Sequence, residues 1–178
     1  MRKSLVVLGV VTVAGGLVTT HVAAREPAVA DPIAASRTAV TAASVSPSPA
    51  SPVQQQVLAL VNHNRVRAGC SRVTVDRRLI VAANRHASYM ARNNHFQHTS
   101  RKGQDPGQRV TGAGYRWSLY RENLALGQDS PWEVVAGWMT SPEHRANILN
   151  CRLHQMGIGL AINAKRVPYW VQELASPL

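Results

Sequence analysis

The chain has 178 residues, 45% of them hydrophobic, and a formal net charge of +11. That is room for one packed domain with appendages, and its apolar content is ordinary for a core. Almost all of the positive charge is arginine scattered along the sequence, with a few adjacent pairs such as Arg77-Arg78 and Arg101-Lys102; scatter of this kind suits general attraction to anionic surfaces and argues against sequence-specific nucleic-acid recognition.

Residues 1–24 read as a secretory signal peptide: Arg2 and Lys3, an apolar run from Leu5 to Val18, then Val22-Ala23-Ala24 as a small-residue cleavage site. The run is too short and too rich in Gly and Thr for a good membrane span, and no later segment is apolar enough to cross a bilayer. The expectation is a secreted, extracellular protein, with a charge of +9 once Arg2 and Lys3 are removed. Residues 25–52, "REPAVADPIAASRTAVTAASVSPSPASP", hold almost no large apolar side chains and cannot offset their ordering entropy. They read as a flexible linker, and the folded domain is expected over 53–178.

Within the domain, Val57, Leu60, Val61, Val66 and Ala68 recur at helical spacing until Gly69. Asp76 is a candidate cap for a second helix carrying Leu79, Ala83, His86 or Ala87, and Met90 on one stripe, which makes His86 a core histidine. The stretch "HFQHTSRKGQDPGQRVTGAGYRW" is rich in turns, with one helical turn after Asp105-Pro106; loops of this kind often carry sites. His95 of this stretch reads as a surface residue. "WSLYRENLAL" follows as a strand. Alternation places Tyr120, Glu122 and Leu124 on one face and Arg121 and Asn123 on the other, so Glu122 points with the apolar set and must be paired, hydrogen-bonded or protonated.

"SPWE" and "SPEH" each place Ser as a helix cap and Pro at the first helical position, and Glu133 completes a capping box. The first helix buries Val134, Val135, Trp138 and Met139. "MGIGLAIN" and "VPYWVQELA" form a closing hairpin. The tally is about four helices and three strands, segregated along the chain: an α+β domain with an antiparallel sheet. Export lets disulfides persist, so Cys70 and Cys151 are expected to pair, worth about 4 to 5 kcal/mol in the chain-entropy picture for a loop of roughly 80 residues.

In "SPEHRANILNC", His144, Asn147, Ile148 and Cys151 lie at i, i+3, i+4 and i+7, one helix face. His144 near the helix N-terminus is expected to stay neutral, as a metal ligand or an acid/base group requires. A core histidine bonded to its neighbours is the competing reading.

The ordered set "HNRVRAG", "AANRHASYMARNNHFQH", "GYRWSLYRENLALG", "VVAGWMTSPEHRANILN", "MGIGLAI" and "YWVQELA" resembles the bacterial branch of the CAP superfamily, the cysteine-rich secretory, antigen 5 and pathogenesis-related 1 or SCP-like family, over about residues 53–176. The resemblance implies a three-layer α-β-α sandwich and a cleft lined by two histidines and two acids. Carried across, these are His98 of "FQH", Glu122 of "REN" and His144 of "SPEH". Two departures stand out. Arg121 replaces the usual glycine before the glutamate, and the second acid would fall near Ser141, with Glu143 the nearest carboxylate.

Two imidazoles, one carboxylate and a water make a sound ligand set for zinc or another divalent cation, with His98 and His144 as the metal ligands. The sequence holds no HExxH and no G-x-S-x-G pattern. The expectation is a monomeric, non-enzymatic binding module whose cleft takes a cation and a small apolar or cell-envelope ligand. The alternatives are a secreted hydrolase of peptide or cell-wall material using the same residues, and a basic protein that adheres to anionic wall polymer.

Overall fold

The computed structural model describes residues 50–178; the signal-peptide reading of residues 1–24 and most of the linker reading of 25–52 lie outside the described residues. Helix α1 (Pro52–Arg67) starts on Ser51, whose hydroxyl accepts from the Gln54 N–H while the Gln54 side chain accepts from the Ser51 N–H. The short strand β1 (Thr74–Val75) leads into α2 (Arg77–Asn93), capped by Asp76 and ended by Asn94 in the left-handed conformation. The single turn expected after Asp105-Pro106 is a full short helix, α3 (Pro106–Gly112), because Gln108 completes a second reciprocal capping box with Asp105. Then come β2 (Trp117–Leu126), α4 (Pro131–Thr140), α5 (Pro142–Ile148), β3 (Gln155–Ile162) and β4 (Pro168–Pro177).

The described residues thus hold five helices and four strands, one of each more than expected. The sheet order is β1-β3-β4-β2. β3, β4 and β2 pair antiparallel as expected, but β1 pairs parallel with β3 through Thr74 and Val75, so the sheet is mixed. Two residues carry no readable period, which is why that strand is silent in the sequence.

Side-chain alternation divides β4 between two layers. Trp170 and Leu174 join Met156, Ile158 and Leu160 of β3 in a core with Val57 and Val61 of α1, Val134 and Trp138 of α4, and Ile148. Tyr169, Val171 and Ala175 face the other way, against Ala83, Ala87 and Met90 of α2 and, with Leu79 and Ala82, against Val110 of α3. The result is the three-layer α-β-α sandwich: α2 and α3 on one face, α1, α4 and α5 on the other. Gly157 and Gly159 of β3 let α2 lie directly on the sheet, since a Cβ at either would come within 2.2 Å of the α2 backbone at Leu79 or Ala83.

Cys70 and Cys151 are bridged as expected, with Cα atoms 4.9 Å apart across 81 positions. Beside the bridge, buried Arg65 donates to the carbonyls of Ser71, Ile148, Asn150 and Leu153. No helix among the described residues is long and apolar enough to cross a membrane.

Candidate functional site

Glu122 sits in β2 on the face turned toward α2 and α3, together with Tyr120 and Leu124, as alternation predicts. Only 7% of it is exposed, and both carboxylate oxygens are engaged. Oε1 accepts from His98 Nδ1 at 2.7 Å, and Oε2 accepts from Arg109 of α3 at 2.6 Å. Burial alone would raise the Glu122 pKa; the His98 hydrogen bond and the Arg109 charge outweigh it and hold the carboxylate below its ordinary value. Arg109 is locked in turn by a second hydrogen bond to the Gln104 carbonyl.

His98 projects from the α2–α3 loop with 53% of its side chain exposed. Its bond to Glu122 uses Nδ1 and turns Nε2 away from that carboxylate. His86 of α2 is almost wholly buried and bonds the Gln97 carbonyl through Nε2 at 2.9 Å. Burial pushes its pKa down to about 4, so it is the neutral core histidine the sequence indicated, and it braces the loop carrying His98. His95, partly exposed, bonds the Thr99 carbonyl within the same loop.

His144 lies in α5, in the layer on the other face of the sheet. The Asn123 side chain donates to the His144 carbonyl at 3.1 Å and to Gln172 at 2.9 Å; Asn147 donates to Asn123 Oδ1 at 2.8 Å and to the Glu122 carbonyl at 3.3 Å. These amides tie α5 to β2 and place His144 within electrostatic reach of His98. The His144 pKa is lowered, first by burial and then by the His98 charge, with Glu143 opposing. The expected direction holds, although burial and not the helix N-terminus is the main cause. Its ring forms no hydrogen bond among the described residues. The expected buried stripe is only half realised, because α5 ends at Ile148 and Cys151 beyond it is exposed.

Two capping expectations fail. The Ser141 side chain caps nothing, and Glu133 reaches past Ser130 to the Asp129 N–H, so α4 keeps only the Ser130 hydroxyl bond to the Glu133 N–H.

The acid missing from the expected tetrad is not replaced by Glu143, which is exposed. Directly opposite Glu122 on β4, however, lies Glu173, fully buried, with no protein donor on either oxygen. Its polar neighbour is the Glu122 carboxyl. Burial, then the Glu122 charge, raises the Glu173 pKa well above the usual range, which favours its neutral form. Arg109 and Glu173 are therefore part of the site that reading the sequence missed. The signal for Glu173 was present, since Tyr169, Val171, Glu173 and Ala175 alternate inward just as Tyr120, Glu122 and Leu124 do. Arg109 carried no such mark beyond the need of an inward carboxylate for a cation.

The profile of the CAP, or cysteine-rich secretory protein, family matches residues 58–174. The chain belongs to this family. The CAP domain is 33% identical over 139 residues to the protein YkwD of Bacillus subtilis, covering 75% of this chain and 54% of that protein. Among solved structures, an extracellular SCP-domain protein of Bacillus anthracis matches with a TM-score of 0.63 and 25% identity, over 72% of this chain and 44% of that one. An outer surface protein of Borrelia burgdorferi shares the fold at a TM-score of 0.65 and 22% identity, over 70% of this chain and 92% of that one. The chain thus spans only about half the length of the Bacillus subtilis relative it matches.

Among the described residues no group of three His, Cys, Asp or Glu side chains converges as a metal cage. Glu122 is spent on His98 and Arg109, which makes it a partner that orients an imidazole and not a ligand itself. Without that carboxylate, the described residues do not make a closed structural metal site.

Proposed function

We propose that this CAP domain is an exported, non-catalytic binding module whose cleft takes a divalent cation, zinc being the best match to two imidazoles, and through it a small or cell-envelope ligand. One observation carries the reading. Glu122 has both oxygens committed, while His144 is partly buried, shifted toward neutrality and without a hydrogen-bond partner on its ring. An imidazole so placed is available to a ligand. A carboxylate so placed is not available to take a proton from water, which is what a hydrolase of this kind would require. Export is supported by the signal-peptide pattern read in residues 1–24 and by the similarity to an extracellular Bacillus anthracis protein.

The test is a zinc titration of the full chain followed through histidine and amide NMR signals, with His98→Ala and His144→Ala in parallel. Shifts are expected at both histidines and at Glu122, lost in either variant. Absence of any zinc-dependent shift there overturns the cation reading. Turnover of a peptide or peptidoglycan panel, abolished by His144→Ala in a folded protein, overturns the non-catalytic one.

A further inference from the structure

A concavity with a volume of about 520 Å³ opens between α2, the loop after it and α3. This is within the range of about 300–1,000 Å³ common for small-molecule sites, larger than a bare ion needs. Three cations line it, Arg85 of α2, Lys102 of the loop and Arg109 of α3, and no Asp or Glu does. Arg109 is committed to Glu122, but among the described residues Arg85 and Lys102 take part in no ion pair. His86 in the wall is neutral and adds no charge of its own.

Two hydroxyls complete the lining, and their bonding state is decided by their neighbours. Tyr89 Oη accepts the Arg101 N–H at 2.8 Å, and Ser100 Oγ accepts the Gln104 N–H at 3.1 Å. With an acceptor site on each oxygen occupied by backbone, each hydroxyl proton is left to be donated elsewhere. The concavity therefore presents donors from two directions, two of them charged, and an unneutralised positive field. A carboxylate offers two oxygens to such a set; a phosphate offers three or four in a tetrahedral array that can accept from α2 and the loop together.

We propose that this concavity binds a phosphate group carried on a small organic body, held by Arg85 and Lys102 and by the hydroxyls of Ser100 and Tyr89. The concavity adjoins the Glu122 site through Arg109, which lines it, and assigns a place to part of the scattered basic charge.

Calorimetry and amide NMR of the full chain with glycerol 3-phosphate, a glycerophosphodiester and acetate test it. Arg85 and Lys102 are exposed and unpaired, so Arg85→Ala with Lys102→Ala leaves the fold intact. The expected result is phosphate binding with shifts confined to residues 85–89 and 99–104, weakened about 10-fold or more in that double variant by loss of charged donors. A control removing equal charge elsewhere, Arg72→Ala with Lys165→Ala, is expected to bind as the parent does. Preference for the monoester points to a free phosphorylated molecule, and preference for the diester to an envelope polymer; either supports the site. Acetate binding as tightly as phosphate, equal loss in both double variants, or no confined shifts overturns it.

Discussion

At the scale of single residues, three buried groups make folding stability depend on pH. His86 has its folded pKa depressed to about 4 from an ordinary value near 6.5, so folding loses stability as pH falls between those values. Glu122 is also depressed; its contribution is present above its unfolded pKa and lost as pH falls through the folded one. Glu173 has the opposite sign. Its folded pKa lies well above that of the unfolded chain, so the unfolded state releases the proton first and stability falls as pH rises from about 4.5 toward the folded value. Glu173→Gln keeps a donor facing Glu122 and removes the titration. Urea unfolding from pH 5 to 8 is therefore expected to show the variant gaining on the parent steadily as pH rises; parallel curves would show that Glu173 is ionised in the native protein. Alternation along β2 is enough to mark Glu122 as an inward carboxylate. The same rule applied to β4 marks Glu173, but the apolar weight of "VPYWVQELA" makes that stretch read simply as a hairpin strand and hides the acid within it. What no single strand discloses is register: only the pairing of β2 with β4 sets Glu122 directly opposite Glu173.

At the scale of elements, helix starts are legible where a side chain satisfies the first-turn N–H groups, as at Asp76 and Asp105, and misleading where Ser-Pro alone is taken as sufficient, as at Ser141. Helix-to-sheet distance is not legible from pattern, although "MGIGLAI" holds it: two glycines two apart on a strand face leave a smooth strip for a helix. At 2.2 Å from helix backbone a new methyl group cannot be relieved by a rotamer change, so α2 must lift from the sheet. Gly159→Ala is expected to cost about 3 kcal/mol or more, the upper end for overpacking. The lifting also displaces His86 and the loop it braces. A denaturation midpoint within experimental error of the parent would mean that α2 rides higher on β3 than the contact distances require.

At the scale of the whole molecule, the end of α1 is fastened to the α5–β3 connection twice, covalently through Cys70–Cys151 and non-covalently through Arg65. The two fasteners act on different states. The bridge works chiefly on the unfolded chain by closing a long loop, at about 4 to 5 kcal/mol in the entropy picture. Arg65 works on the native state: it is buried without an acidic partner, its pKa is lowered by desolvation, and its guanidinium satisfies carbonyls on both sides of the bridge. Reduction therefore removes stability without removing the corner's geometry. The reduced chain is expected to stay folded at 25 °C, with near-ultraviolet circular dichroism retained and Tm lower by roughly 15 °C. Arg65→Met in the oxidised chain is expected to disturb the corner itself, because it strips buried carbonyls of their donors at about 1–3 kcal/mol each when left unsatisfied. If reduction instead erases the near-ultraviolet signal while Arg65→Met preserves it, the covalent link and not the guanidinium holds α1 against the sheet.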